Sequence, residues 1–557
     1  MSFFIIFLFC FITSIFFINF GIISNKIVFN ITNKSEILEN CLLGIISLSI
    51  IALISNFFTS LNIYFNSIFI LVSFLYLIKL DKKDIIKIFN YSLLIALISL
   101  LTISLDNTNR PDSGLYHLPF TSLLNDSTLV VGVSNLNERF GIISILQYLS
   151  AINFNLIFNE NGILIPLVII YSTILLFFFE EIFKKKNQDH IKILSFLFFS
   201  FILINMNRYS GFGNDAPAQM FYFLIMFYFL KENNKNNLLR NYKIISILSL
   251  YAFLIKPFFI ITFILPILFI LNNFKKINIF NKTILFLTIV FFIWLVKNIF
   301  ISGCLIYPIE LTCFQSLDWS LKNSLNFSLE SKAWAKGWPD RVDKSLNYEN
   351  YLINFKWITV WFGNHFKIIL GKISPFIFIL IILSIILFFS NEKKLINRKK
   401  EFYQLIAFNF VFLIIWFFSF PAYRFGSGII GSFCTLIFIY IFFQKINFQK
   451  KIIYKSVIFF IIFLSASIIL KNINRISEKY KFVYFDYPWP KKNSFSAQNE
   501  KNQNIIVKKD AQFLYFLSPL GKLCYYSQSP CTHIRNLKIK KTKFLNFYEK
   551  YTIDNKD

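Results

Sequence analysis

Residues 110–119 form the most chemically varied stretch of the sequence, reading Arg-Pro-Asp-Ser-Gly-Leu-Tyr-His-Leu-Pro. The stretch closely follows an apolar run from Tyr91 to Leu105, in a chain otherwise dominated by Phe, Ile and Leu. A carboxylate such as Asp112 can remove a proton from a hydroxyl group, and Tyr116 and His117 can orient that carboxylate or bind other substrate hydroxyl groups. The stretch therefore predicts a catalytic corner with Asp112 as its general base.

Further polar segments carry the charges that such a site needs. Residues 135–139 contain Glu138 and Arg139, and residues 207–217 contain Arg208 and Asp215. Lys and Arg side chains bind phosphate groups, and a second carboxylate can position an acceptor or support the cations. The predicted catalytic residues are Asp112 and Asp215, and the predicted substrate-binding residues are Tyr116, His117, Glu138, Arg139, Arg208, Lys256 and Arg424.

Each candidate also has a purely structural interpretation. Asp112 and Asp215 stand where a carboxylate can cap the N-terminus of a helix. Lys256 and Arg424 have side chains long enough to reach the membrane interface from a helix end. His117 can hydrogen-bond a loop carbonyl, and one His without a second ligand does not form a metal site.

Adjacent Glu138 and Arg139 are likewise compatible with a local ion pair.

The sequence contains no glycine-rich phosphate loop, no Ser-His-Asp set and no Cys-His nucleophile motif. We therefore predict no cofactor and no protein-bound metal, and leave open whether a divalent metal assists.

The composition defines the class of protein to which these residues belong. The 557-residue chain is 56% hydrophobic and only 15% charged, with a mean hydropathy of +0.59, which is typical of a polytopic membrane protein. Its formal net charge of +28 comes largely from lysines in short loops between apolar runs. That pattern is the positive-inside signature, so we expect membrane lipid as a partner and no nucleic acid.

The apolar runs predict an all-α polytopic fold with about 14 transmembrane helices, followed by a small C-terminal α+β or irregular domain. The N-terminus lacks the basic residues and cleavage site of a signal peptide, so we expect its first run to be a retained helix. The runs are 3–24, 41–57, 61–79, 88–105, 162–180, 191–207, 217–230, 283–299, 373–390, 402–419, 429–443 and 456–470, with 244–271 treated separately.

Loops rich in Lys and Arg predict the orientation, because such loops stay on the cytoplasmic side. If all of these loops lie on the cytoplasmic side, the number of times that two ambiguous runs cross the membrane is fixed. Residues 141–158 then form an amphipathic or re-entrant helix on the outer face, since a span there would place Lys184–Lys186 outside. Residues 244–271 must cross twice, as a hairpin turning near Lys256-Pro257, where proline disfavours helix.

This topology predicts a transmembrane domain over residues 1–470 and an extracytoplasmic domain over residues 471–557. We expect the chain to lie in the bacterial cytoplasmic membrane as a multi-pass protein. The outer loops of the transmembrane domain are 106–161, 208–216, 300–372 and 420–428.

Cysteine positions are consistent with this assignment. Cys304 with Cys313 and Cys524 with Cys531 form two close pairs, and both pairs lie in segments predicted to be outside, where disulfides persist. A single zinc ion bound by the four thiolates is the alternative, although neither pair has C-x2-C spacing.

The same residues resemble a known group of enzymes. An Asp followed closely by Tyr-His-x-Pro resembles the first large outer loop of GT-C-type glycosyltransferases, including the protein O-mannosyltransferase-like and lipid A aminoarabinose transferase-like families. The element Leu254–Pro257 also resembles these families. The resemblance implies an essential Asp at Asp112, a second acidic residue at Asp215, and a polyprenyl-phosphate sugar as donor. Where the O-mannosyltransferases carry Asp-Glu, this sequence has Asp112-Ser113, so the acceptor class is not implied.

Several short motifs look closer still to a bacterial family of multi-pass membrane proteins without an assigned activity. These motifs are Asn135–Gly141, Gly303–Pro308 and Cys524–Thr532. Each motif is short, and the resemblance as a whole covers most of the chain.

The sequence thus predicts a glycosyltransferase that transfers a sugar from a polyprenyl-phosphate donor to a glycan or lipid acceptor of the cell envelope. An O-antigen-type polymerase or ligase is an alternative, since it would also use large outer loops with Arg and His. A lipid-linked glycan transporter would need internal symmetry and polar residues at mid-helix. A non-catalytic envelope protein is the interpretation if Asp112 and Asp215 lie far apart.

Overall fold

The structure, a computed structural model of the 557-residue chain, is a bundle of α-helices with two small β-sheets near its C-terminus. Apolar segments form helices because a helix satisfies its own backbone hydrogen bonds where no water is available. The described residues are 3–31, 36–103, 112–207, 212–231, 235–273, 281–321, 324–389, 399–447, 451–477, 506–510, 513–517, 524, 526, 529–532, 534 and 539–553.

The first helices are α1 (Phe3–Ser24), α2 (Ile37–Ser55), α3 (Ile63–Leu77), α4 (Lys82–Ile98), α5 (Leu118–Asp126), α6 (Ile145–Ile152), α7 (Ile165–Phe183), α8 (Asp189–Asn205), α9 (Asp215–Leu230), α10 (Lys235–Ile255), α11 (Ile264–Asn273) and α12 (Lys282–Ser302). The remaining helices are α13 (Ser324–Ala335), α14 (Tyr348–Leu352), α15 (Trp357–Trp361), α16 (Lys367–Phe388), α17 (Lys399–Ser419), α18 (Tyr423–Phe442) and α19 (Lys451–Ser477).

The strands lie in the C-terminal region. They are β1 (Ile506–Asp510), β2 (Phe513–Leu517), β3 (Cys531–Thr532), β4 (Ile539–Phe544) and β5 (Tyr548–Ile553). β1 and β2 pair antiparallel, β3 adds parallel to β2, and β4 and β5 form a separate antiparallel hairpin.

Within the described residues, ten helical segments are long and apolar enough to cross a membrane, and three shorter apolar helices accompany them. The chain is therefore a multi-pass membrane protein. In Asn159–Phe183, which contains α7, 94% of the most apolar window is buried, against 28% for Trp357–Phe388, which contains α16. α7 thus lies at the centre of the bundle, and α16 lies at its periphery, where apolar side chains face lipid.

Two glycines bring α1 and α2 into direct backbone contact. A Cβ on Gly21 would lie 1.7 Å from the carbonyl oxygen of Asn40, and a Cβ on Gly44 would lie 1.9 Å from that of Phe17. Only glycine fits at these positions, as is common where membrane helices pack closely.

The structure agrees with both interpretations of the ambiguous runs. The run 141–158 contains only the eight-residue helix α6, which is too short to span a bilayer. The run 244–271 is broken at Lys256-Pro257 into α10 and α11, joined by the 3-10 turn Pro257–Phe263. The Oγ1 of Thr262 lies 3.4 Å from the carbonyl oxygen of Ser249, so the chain after the break runs back along α10 as a hairpin.

The positive-inside pattern predicts that the Lys-rich loops lie on the same side of the membrane. Two contacts are consistent with this, because each brings two Lys-rich regions together. Lys184 and Lys231 both reach Glu181, at 2.7 and 3.3 Å, so the loops after α7 and α9 lie together. Asn272 and Gln404 exchange hydrogen bonds of 2.7 and 3.1 Å, which brings the end of α11 beside the start of α17.

The C-terminal region packs onto the loop between α5 and α6. The backbone N–H of Val131 donates to Glu549 at 2.8 Å, and that of Tyr551 donates to Val131 at 2.9 Å. Asn135 Nδ2 donates to the carbonyls of Tyr551 and Trp319, both at 3.0 Å. The predicted C-terminal domain is therefore fixed to the transmembrane part through β5, and α19 continues past the predicted boundary at 470 to residue 477.

Both predicted disulfides are present. Cys304 is bonded to Cys313, with an S–S distance of 2.02 Å, and Cys524 to Cys531, at 2.11 Å. Because the four sulfurs form two separate bridges, the zinc alternative is wrong.

Candidate functional site

Asp112 uses its carboxylate to bind two arginines. It precedes the π-helical turn Ser113–His117, which leads into α5 with Pro119 in the first turn. Its backbone is helical, and its side chain makes no capping hydrogen bond. One carboxylate oxygen instead lies 3.0 Å from Arg424, and the other lies 3.6 Å from Arg139. The Asp112 side chain therefore pairs with two arginines and does not cap the helix.

Asp215 and Lys256 form a second ion pair. Asp215 is the first residue of α9, and the preceding Asn214 makes no side-chain capping bond. Lys256 is extended, with φ −148° and ψ 113°, because Pro257 cannot continue α10. The Lys256 and Asp215 side chains are only 22% and 23% exposed, so solvent screens this pair less than a surface ion pair.

The ring of Phe425 connects the two ion pairs. The Lys256 ammonium lies 3.6 Å from the ring centroid, and the Arg424 guanidinium lies 4.8 Å from it. Aromatic rings attract cations, so Phe425 stabilises two like charges close together. The sequence gives no signal for this role, because Phe425 is one of 75 phenylalanines. We call Asp112, Arg139, Asp215, Lys256 and Arg424 the charge cluster.

Tyr116 packs beside the charge cluster. Its ring centroid lies 5.6 Å from the Arg139 guanidinium. Burial raises the pKa of the Tyr116 phenol above its ordinary value, and the negative charge of Asp112 raises it further. The phenol is therefore protonated at neutral pH and can donate a hydrogen bond.

His117 is buried behind the charge cluster rather than exposed in it. Its side chain packs against the rings of Tyr116 and Phe212, with centroids 4.1 and 5.7 Å away, and its Nδ1 lies 3.5 Å from Gln147 Nε2. Burial lowers the pKa of His117 to about 4, despite the opposing charge of Asp112. This neutral imidazole supports the preceding turn and is poorly placed to bind substrate directly.

Glu138 is not an ion-pair partner of Arg139 among the described residues. Arg139 faces Asp112 instead, and the Arg139 N–H donates to Asn137 Oδ1 at 3.1 Å. Burial raises the pKa of the Glu138 carboxyl, and the nearby carboxylate of Glu330 raises it further. The positive charge of Arg139 lowers the same pKa, so Arg139 still acts on Glu138 electrostatically although the two form no ion pair.

Arg208, a predicted phosphate ligand, lies outside the described residues, as does Arg110. Within the described part of the chain, no group of three or more His, Cys, Asp or Glu side chains is arranged to hold a metal ion.

Gln219 also belongs to the site, although it is not among the residues predicted from the sequence. It lies one helical turn after Asp215 on α9 and is only 1% exposed. Its amide Nε2 donates to the carbonyl oxygen of Arg424 at 2.6 Å. Its polar type within the apolar run 217–230 was the available signal, since a buried amide needs hydrogen-bond partners.

The arrangement combines two carboxylates and three cations, each from a different helical segment of the chain. Cations that pair with carboxylates in the free protein can instead bind an incoming phosphate, because both ligands suit the same guanidinium and ammonium groups. A carboxylate released in this way can accept a proton from a hydroxyl group. The geometry therefore suits proton transfer next to a bound phosphate.

Comparison with known proteins adds a family to this geometry. No curated protein and no solved structure matches the chain. A family model described as a domain of unknown function, DUF8201, matches residues 2–431, a segment that contains every residue of the charge cluster. The chain therefore belongs to the DUF8201 family.

Proposed function

We propose that the protein is a membrane glycosyltransferase that moves a sugar from a polyprenyl-phosphate donor to a glycan or lipid acceptor of the cell envelope. The proposal rests on one observation above all. Asp112 and Asp215 come from segments far apart in sequence, yet their ion pairs with Arg424 and Lys256 meet around Phe425.

In the proposed reaction, Arg424 and Lys256 bind the donor phosphate. This draws Arg424 away from Asp112, whose carboxylate then takes the proton of the acceptor hydroxyl. The acceptor oxygen forms the new bond to the anomeric carbon as the bond from that carbon to the phosphate oxygen breaks. Polyprenyl phosphate leaves as an anion, stabilised by the two cations.

Asp215 would hold Lys256 in place, and Arg139 and Tyr116 would contact the phosphate or sugar hydroxyls. Arg208 stays a proposed phosphate ligand on sequence grounds. His117 is proposed as a support for Asp112, and Glu138 as a polar wall of the acceptor side.

We place the charge cluster at the outer face of a bacterial cytoplasmic membrane, in a chain of 14 spans by the count of apolar runs above. Two features support this orientation. Lys184 and Lys231, which belong to two Lys-rich loops, both contact Glu181 at the end of α9 opposite to Asp215. The disulfide-bonded C-terminal region lies at the cluster's end, where Thr532 Oγ1 donates to Leu136 at 2.7 Å.

The test is glycan and lipid profiling of a deletion strain complemented with single variants. Asp112→Asn keeps the size of the side chain but removes the base, so we expect product to fall by at least about 100-fold at unchanged membrane levels. Asp318→Asn is the matched control, because Asp318 also pairs with a cation, Lys550 at 2.6 Å, but is 58% exposed and lies outside the charge cluster.

Full restoration by Asp112→Asn would remove the catalytic assignment. If the deletion strain accumulated complete lipid-linked glycan on the cytoplasmic side, a transporter would replace the transferase. If the deletion strain accumulated unpolymerised or unattached glycan outside the membrane, a polymerase or ligase would replace the transferase.

A further inference from the structure

Gln219 makes an unusual set of hydrogen bonds for a side chain in a membrane helix. Its Nε2 donates to the Arg424 carbonyl at 2.6 Å, and its Oε1 accepts from the Gly428 N–H at 2.5 Å and from Ser427 Oγ. In a regular α-helix the carbonyl of residue 424 and the N–H of residue 428 pair with each other. The Gln219 amide binds both of these groups from the neighbouring helix α9.

The fit at this contact depends on glycine. A Cβ on Gly428 would lie 2.7 Å from Gln219 Cβ and 3.0 Å from its Oε1. Any larger residue at 428 would push the Gln219 amide away from α18. The close approach therefore sets both the distance and the register between the first turns of α9 and α18.

These two turns carry opposite sides of the charge cluster. Asp215, which binds Lys256, is one turn before Gln219, and Arg424, which binds Asp112, supplies the carbonyl that Gln219 holds. A rotation or slide of α18 would change the distance from Arg424 to both Asp112 and Lys256. We propose that Gln219 is the positioning residue that sets Arg424 in register with the Asp215–Lys256 pair for binding an anionic phosphate.

A second polar contact, deeper in the bundle, separates this role from general helix packing. Tyr222 OH donates to Asn409 Oδ1 at 2.7 Å, and Ser432 of α18 donates to the same oxygen. This contact links α9 and α18 through α17 without touching Arg424. Loss of Gln219 should therefore loosen the first turn of α18 while the helices stay associated.

The proposal rests on the proposed function only in its ligand, a phosphate held by Arg424. The experiment uses the full chain in lipid nanodiscs and measures binding of farnesyl phosphate, a short polyprenyl phosphate. Gln219→Leu removes the amide at similar volume, and Tyr222→Phe is the control that removes the deeper bond. We expect Gln219→Leu to weaken binding about tenfold and Tyr222→Phe to leave it near the wild-type value.

Double substitution tests whether Gln219 acts through Arg424. In an Arg424→Gln background, Gln219→Leu should cause no further loss of affinity, because the group that it positions is gone. Independent losses that add in the double variant would overturn the proposal, since a merely structural defect weakens binding in either background.

Hydrogen–deuterium exchange tests the positioning role of Gln219 without any bound ligand. Gln219→Leu should speed exchange of the amides in residues 423–428, and Tyr222→Phe should not. If wild-type protein fails to bind farnesyl phosphate but this exchange difference appears, the proposed function fails while the control of the first turn of α18 by Gln219 stands. Unchanged exchange at 423–428 would refute the positioning role whatever the ligand result.

Discussion

Lys297 shows how this chain accommodates a single charge inside the bundle. It lies in α12 with no exposed surface, and its ammonium donates to Asn56 Oδ1 at 2.8 Å. The ammonium also lies 4.3 Å from the ring centroid of Phe57 and 5.5 Å from that of Tyr148. No carboxylate pairs with it among the described residues. Burial of such a charge costs roughly 3 kcal/mol, and a charged hydrogen bond with ring contacts returns a similar amount.

Because these opposing effects nearly cancel, Lys297→Met should change stability by no more than about 1 kcal/mol in either direction. Lys297→Glu should destabilise the protein by about 3 kcal/mol or more, since a carboxylate would face the Asn56 oxygen and two ring faces. Apparent melting temperature and membrane abundance measure both effects. A severe loss in the Met variant would show that the ammonium itself has a function.

His117 predicts a particular pH dependence of stability. Its pKa is lowered by burial to about 4, whereas the unfolded chain binds a proton near the ordinary value of about 6.5. The native imidazole stays neutral, so stability falls as the pH drops from about 6.5 towards 4, by roughly 3 kcal/mol in total. His117→Gln should flatten this part of the curve of melting temperature against pH. Parallel curves for the two proteins between pH 7.5 and 4.5 would contradict the prediction.

At the scale of elements, the contact of α1 with α2 depends on two glycines rather than on side chains. A Cβ on Gly44 would overlap the backbone of Phe17, whereas a Cβ on Gly371 in α16 would meet no atom within 4 Å. The two positions therefore offer the same substitution in opposite environments.

Gly44→Ala should separate α1 from α2 and cost several kcal/mol, of the order seen for overpacking of a core. Gly371→Ala should be neutral or stabilise α16 by up to about 1 kcal/mol, because alanine favours helix more than glycine does. Melting of the purified variants in one detergent measures the difference. Equal effects at both positions would mean that the α1–α2 contact does not limit stability.

At the scale of the whole molecule, the C-terminal hairpin β4–β5 is part of the structure that supports the charge cluster. β5 forms hydrogen bonds with both the N–H and the carbonyl group of Val131. Phe544 of β4 packs against the rings of Phe300 and Trp319, with centroids 5.8 and 5.1 Å away. Residue 131 leads within one short loop to Arg139, which faces Asp112.

Ending the chain after residue 538 should therefore loosen the loop that carries Arg139. We expect faster hydrogen–deuterium exchange over residues 131–139 and weaker binding of farnesyl phosphate, because the loop loses the Glu549 and Tyr551 hydrogen bonds. The control is Lys550→Met, which removes only the partly exposed pair with Asp318 and should have little effect. A truncated protein with unchanged exchange and affinity would show that the hairpin is dispensable to the site.

The sequence by itself determined where the helices lie and how the chain turns back. Apolar length, lysine-rich loops and Pro257 are local properties, so they predicted the α10–α11 hairpin and excluded a span over 141–158. The two disulfides followed from the close spacing of their cysteines in segments assigned to one side.

Only the tertiary structure decided which charged residues meet. Asp112 and Arg424 are separated by 312 positions, and their contact depends on the order and register in which helices pack, which hydropathy does not encode. Helix packing also places Phe425, rather than another phenylalanine, between Lys256 and Arg424. It places Gln219 against the backbone of α18 and buries His117 away from the polar surface. Ion pairs and buried hydrogen bonds form between whichever groups the packed helices bring within about 3 Å, so the candidate site emerges only in three dimensions.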